Sequence, residues 1–175
     1  CQSISSLFSG PKRFDMPVAT AFRFQDYIDN RHPNYVGHAA IGIDGKLGEA
    51  LKNTDLMIVI GARLGEITTQ SYGLLAIPNP TQTFVHVHPS PDELGQVYRP
   101  EIAIASTAAN FIAALETLSP PKSIAWASER ATLRKAFEAY ALPSETPGDV
   151  KLEQVVAQCS QMLADDAIVT NGAGN

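Results

Sequence analysis

The chain is 175 residues and 18.8 kDa, with 45% hydrophobic residues, 18% charged residues and a formal net charge of -5. That length fits one ordinary domain, and that composition lies in the globular range and away from disorder. A pI near 5.3 with scattered Lys and Arg removes the electrostatic case for nucleic acid, no apolar run approaches the ~20 residues of a membrane span, and Cys1 and Cys159 lie too far apart for a CxxC-type metal or disulfide pair.

In chain order, Ile4, Leu7 and Phe8 recur at helical spacing until Gly10-Pro11 ends the pattern, so a short helix is predicted there. Pro17 to Phe22 is a short apolar run with β-branched members, which predicts a strand. From Arg23 to Gly45 periodicity is lost, and a long connection over the strand ends is expected; such loops are usually functional. Leu47, Ala50 and Leu51 give one helical face. Leu56-Met57-Ile58-Val59-Ile60, closed by Gly61, is apolar throughout, which predicts a strand buried on both faces at the centre of a parallel sheet.

Thr83 to His88 and Glu101 to Ala105 read as further strands, and Ala108 to Leu118 as a helix. Ile124 to Leu142 carries a helical period at the domain edge, with Glu129, Arg130, Arg134, Lys135 and Glu138 on its outer face. Pro143 to Asp149 lacks any burial pattern and reads as a linker. Beyond it, Leu152, Val155, Val156, Met162 and Leu163 mark an amphipathic helix, and Ala167 to Thr170 a strand that opens a second unit. Strand and connection alternate, which predicts a three-layer α/β/α, Rossmann-like, mostly parallel sheet flanked by helices. The first residue, Cys1, falls inside a helical stretch and the last residues follow an apolar run, so neighbouring sequence is expected at both ends.

Gly61-Ala62-Arg63-Leu64-Gly65-Glu66 follows the most apolar strand at its carboxyl end, where open α/β sheets place ligands. Gly61 lets the backbone turn or approach a ligand, and Arg63 offers a planar fork of donors to a phosphate, or else pairs with Glu66. His86 and His88 share one face of a strand, a spacing that some metal hydrolases use. No downstream His or Asp cluster completes such a site, which favours imidazoles bonded to neighbouring loops and no metal. Arg31 to His38 marks a structured loop. No GxSxG elbow, Cys-His partnership or acidic pair is present, so no catalytic residue is assigned.

Pro17-Val18-Ala19-Thr20, then His32-Pro33-Asn34-Tyr35-Val36-Gly37, then Asp55 through Arg63-Leu64-Gly65, then Val85-His86-Val87-His88-Pro89-Ser90-Pro91-Asp92-Glu93-Leu94-Gly95, follow one another in an order and spacing that resemble the central domain of thiamine-diphosphate-dependent enzymes, acetolactate-synthase-like members above all. The resemblance covers Cys1 to about Leu118. Ile168 to Asn175 looks like the start of that family's diphosphate-binding domain. The resemblance implies residues 1–142 as a central domain lacking its first strand, 143–149 as a linker and 150–175 as the next domain's start. It implies a sheet of about six strands, usually not catalytic.

In the parent enzyme it implies thiamine diphosphate and magnesium held by the other domains, carbon–carbon bond cleavage or formation next to a carbonyl, substrates of the 2-keto acid type, and a cytoplasmic homo-oligomer, dimer or tetramer. The partners of this segment would be the other domains of the same chain, and the segment alone would be inactive. Positions matching cofactor-contacting ones are Gly61, Arg63, His88 and Asn175. Some relatives bind FAD across this sheet, with an arginine where Arg63 stands. Here His88 and Ser90 replace the usual acidic residues and Ala40-Ile41-Gly42 departs from the flavin pattern, so FAD is not expected. Two rival readings remain, a free-standing dinucleotide module of the sirtuin or transhydrogenase type and a small metal hydrolase using His86 and His88.

Overall fold

Residues 14–170 and residue 172 are described by the computed structural model. Among the described residues five strands form, and every ladder between them is parallel. β1 (Val18–Ala21) pairs with β2 (Tyr35–Ala39) in one sheet, while β3 (Leu56–Ile60), β4 (Thr83–His88) and β5 (Ile102–Ala105) form a second in the order β3-β4-β5. Helices α1 (Gly45–Asn53), α2 (Ala108–Thr117), α3 (Ala127–Tyr140) and α4 (Leu152–Met162) fill the connections and the carboxyl-terminal part. The protein is therefore an α/β, Rossmann-like domain with parallel strands and flanking helices, its described strands divided two and three.

Among the described residues the most enclosed strand is β4, with Phe84 to His88 all buried, whereas β3 has β4 as its one ladder neighbour there and alternates buried Met57 and Val59 with exposed or half-buried Leu56, Ile58 and Ile60. A strand with a neighbour on each side and cover on both faces loses all contact with water. Register places Met57 opposite Phe84 and Val59 opposite His86, so these four share one face. Leu64, Leu74, Leu75 and Tyr98 cover that face to make one core. Each large side chain so buried contributes about 1.5–3 kcal/mol of transfer free energy.

A second core joins Val36 of β2, Leu47 of α1 and Leu133 of α3, and Leu51 of α1 packs against both cores. Asp44 starts α1 by accepting a bond from Lys46 N at 3.1 Å, and Thr107 starts α2 in the same way from Asn110 N at 3.2 Å.

The stretch from Arg23 to Gly45 is more ordered than its composition suggests. It holds a 3-10 turn at Gln25–Tyr27 and the whole of β2. Tyr35, Val36 and Ala39 are buried, but Gly37 sits between them at φ +118°, and a Cβ there would lie 3.3 Å from Leu47 Cδ2. Only four of its residues pair, Tyr35, Gly37, His38 and Ala39, and their strand character comes from the neighbouring β1, a long-range cause that local pattern does not reveal.

The helix expected over Ile124–Leu142 runs from Ala127 to Tyr140, and two of its arginines do not face outward. Arg130 is 14% exposed against Asp15, and Arg134 Nη1 donates to the carbonyls of Asn30 at 2.8 Å, His32 at 3.0 Å and Tyr35 at 3.1 Å. The loop's carbonyls need donors, and α3 supplies them.

Ala167–Thr170 forms no strand; Ile168 is 93% exposed, and no described neighbour offers it a ladder. The expected helix around Ile4 to Phe8 and the candidate Asn175 lie outside the described residues. By contacts the chain divides into two compact units, the first ending at Phe137 and the second starting at Glu138, inside α3. In the second, Lys151 Nζ pairs with Glu145 Oε2 at 2.9 Å and Thr146 donates to Glu153 at 3.3 Å ahead of α4.

Candidate functional site

The carboxyl ends of β3 and β4 lie side by side, and the turns leaving them form the rim on which most of the candidate residues sit. Gly61 N–H donates to Val87 O at 2.8 Å, one step past the end of β3, after which Gly61 turns the chain at φ +74°. A Cβ on Gly61 would meet nothing within 4 Å, so the glycine is there for its backbone conformation and leaves open space at the rim. Leu64, also at positive φ, drops back into the core and leaves Arg63 pointing outward.

Arg63 is 74% exposed, with Nε 3.4 Å from Glu93 Oε1. Its partner is thus not Glu66. Glu93 belongs to the 3-10 turn Pro91–Glu93 after β4, so the ion pair links the turns of adjacent strands, a contact thirty residues apart in sequence. Such an exposed pair is worth between 0 and about 1 kcal/mol, which leaves the guanidinium available to an anion.

Behind the rim, Phe84, His86 and His88 stack along one face of β4, with ring centroids 5.4 Å and 6.2 Å apart. His86, 3% exposed, holds Nε2 at 2.9 Å from Ala62 O and so fastens the turn that carries Arg63. Its Nδ1 is buried with no partner. Burial holds this imidazole below its ordinary value; the Ala62 carbonyl and Glu93 pull it back up, and His88 pushes it down. His86 is therefore a neutral Nε2–H donor in the folded protein. His88 turns Nδ1 onto its own loop, 3.1 Å from both the N–H and the carbonyl of Ser90, so one tautomer accepts and the other donates. Either way only Nε2 is left for another partner.

Further residues shape the rim without any motif to announce them. Thr69, fully buried, donates to Gly65 O at 2.9 Å and accepts from Tyr72 N at 3.2 Å, and Gln70 Nε2 reaches Ala40 O at 2.7 Å, tying the connection after β3 to the end of β2. Among the described residues no group of three or more His, Cys, Asp or Glu side chains stands where it could hold a metal ion. A concavity of about 580 Å³ lies elsewhere, along the contiguous segment Gln25–Arg31, away from the Arg63 rim.

The rim can therefore present a backbone turn and a cation to an anionic group, and it brings together Gly61, Arg63 and His88. This rim belongs to a Rossmann-like α/β domain with parallel strands. Residues 11–115 match the family model described as "Thiamine pyrophosphate enzyme, central domain", and the chain belongs to that family. The chain is similar to the acetolactate synthase large subunit of Parasynechococcus marenigrum, 24% identical over 168 residues that cover 93% of this chain and 26% of that protein. It is likewise similar to the pyruvate oxidase of Lactiplantibacillus plantarum, 24% identical with 94% and 27% covered. The mitochondrial acetolactate synthase catalytic subunit of Saccharomyces cerevisiae is 25% identical, with 93% and 25% covered. The chain spans about a quarter of the length of these curated relatives. Among the described residues no helix is long and apolar enough to cross a membrane.

Proposed function

We propose that the chain is the non-catalytic middle domain of a thiamine-diphosphate-dependent enzyme that makes or breaks a carbon–carbon bond next to a carbonyl, on substrates of the 2-keto acid type. The observation that carries this reading is the central-domain match over residues 11–115, a span that contains the five described strands and the Arg63 rim. The acetolactate synthases and the pyruvate oxidase among the relatives support the reaction class. Residues 1–142 would be the central domain, 143–149 the linker and 150–175 the start of the diphosphate-binding domain.

Thiamine diphosphate with magnesium would supply carbanion stabilisation from the other domains of the parent chain, and this domain would space them and add subunit interface in a cytoplasmic homo-oligomer. The rim residues support a positioning role: His86 is buried, and Arg63 is paired across two turns. We infer further that FAD does not bind, because His88 has one ring nitrogen committed to Ser90 where a ribose would need a carboxylate acceptor.

The reading is tested by substituting Arg63→Ala and His88→Ala in the intact protein and following 2-keto acid turnover with thiamine diphosphate and magnesium. A non-catalytic rim leaves kcat within about twofold, whereas a loss on the order of a hundredfold places the rim in the reaction.

A further inference from the structure

The segment Asp29–Tyr35 enters β2 through a set of bonds centred on His32. Asp29 Oδ1 accepts from Arg31 N at 2.9 Å, Asp29 O from His32 N at 2.8 Å, and His32 O from Tyr35 N at 2.9 Å. His32 Nδ1 itself accepts from Asn34 N at 3.1 Å. Asn34, 3% exposed, then donates to Asp15 Oδ1 at 3.2 Å and to Met16 O at 2.8 Å. From α3, Arg134 donates to three carbonyls of the segment, while Arg130 donates to Pro33 O at 3.3 Å and through Nη2 to Asp15 Oδ2 at 3.3 Å. Arg130 Nε adds an ionic contact with Asp15 Oδ1 at 3.2 Å, though not a directed hydrogen bond.

We infer that His32 makes this junction an acid-sensitive latch between α3 and the Asp29–Tyr35 segment. The neutral ring is needed because Nδ1 must accept from Asn34. A proton on Nδ1 removes that acceptor and sets a third cation beside Arg130 and Arg134. Asp29 and Asp15 are the facing carboxylates, but Asp29 is already bonded to Arg31, and Asp15 is shared between Arg130 and Asn34. Burial is the largest cause holding His32 below its ordinary value; Asp29 acts upward, Arg134 and Arg130 downward, and Asp15 upward. The folded junction therefore resists the proton, and acid opens it. The Gln25–Arg31 concavity shares Asp29, Asn30 and Arg31 with the latch, so its shape follows the same equilibrium.

Hydrogen exchange of the intact protein tests this, with the peptide over β4 as internal reference. After correction for the intrinsic pH dependence of exchange, protection across residues 29–35 is expected to fall relative to β4, by up to about tenfold, between about pH 7.5 and about pH 5.5. His32→Asn keeps a side-chain acceptor for Asn34 N–H and cannot titrate in this range, so it should hold its protection. Flat protection in the unmodified protein, or an equal fall in His32→Asn, overturns the latch. An NMR titration that needs no variant gives the second reading: the Asn34 amide and the His32 ring should share one midpoint, and separate midpoints overturn it.

Discussion

His86 Nε2 lies 2.9 Å from the carbonyl of Ala62, so a buried residue of β4 holds the turn after β3, next to Arg63. Because His86 is kept neutral by burial, it takes up a proton more readily in the unfolded chain than in the folded one. Its share of stability is thus complete above about pH 6.5 and is lost as pH falls below that toward its depressed folded value. His86→Phe keeps the ring column, removes the titration and gives up the Ala62 bond. The variant should be less stable by about 1 kcal/mol at neutral pH in urea titration. It should also lose less further stability than the unmodified protein between about pH 7 and about pH 5, the remaining slope including that of His32. An unchanged slope would show that His86 is not the titrating group.

Arg134 serves three carbonyls and lies over the Phe137 ring, with its guanidinium carbon 5.2 Å from the centroid. Arg134→Ala should cost about 2 kcal/mol, since it leaves partly buried carbonyls without their charged donor. Arg134→Lys, which keeps the charge but not the fork, should fall between the two in the same denaturation experiment.

Two glycines with positive φ should respond differently to alanine. Gly37→Ala meets Leu47 Cδ2 at 3.3 Å and Phe137 Cδ2 at 3.5 Å in addition to its backbone strain, whereas Gly61→Ala meets nothing within 4 Å. Gly61→Ala should cost about 1–2 kcal/mol from conformation alone. Gly37→Ala should cost more, and thermal unfolding of the two variants gives the order directly.

Glu93→Gln removes the charge opposite an arginine that is 74% exposed. Stability should change by less than about 1 kcal/mol. A larger loss in chemical denaturation would mean that the rim depends on this ion pair more than its exposure allows.

Titration of the intact protein with FAD should give no saturable fluorescence quench. Tight, stoichiometric quenching would show that His88 Nε2 and Arg63 suffice for the dinucleotide.

The parallel α/β class was legible because four of the five strands carry runs of apolar or β-branched residues bounded by turn formers. β2 was not, since Gly37 and His38 interrupt its apolar pattern and its pairing depends on β1, some seventeen residues earlier. Among the described residues β3 has one ladder neighbour and β4 two, so enclosure there follows neighbours and not apolarity alone. At the rim, Gly61 and Arg63 could be read from the run that precedes them, whereas Glu93 could not, because nothing local links it to Arg63. The inward turn of Arg130 and Arg134 was hidden for a related reason. Helical spacing marks a polar face, but it does not tell whether water or a loop's carbonyls meet it.

Calorimetric titration of the intact protein with thiamine diphosphate in the presence of magnesium, followed by hydrogen-exchange mapping of the bound state, tests the central claim most directly. Saturable binding that needs the metal, with new protection falling outside residues 1–142, is the predicted result. Failure to bind, or protection concentrated on Gly61 to Glu93, would contradict it.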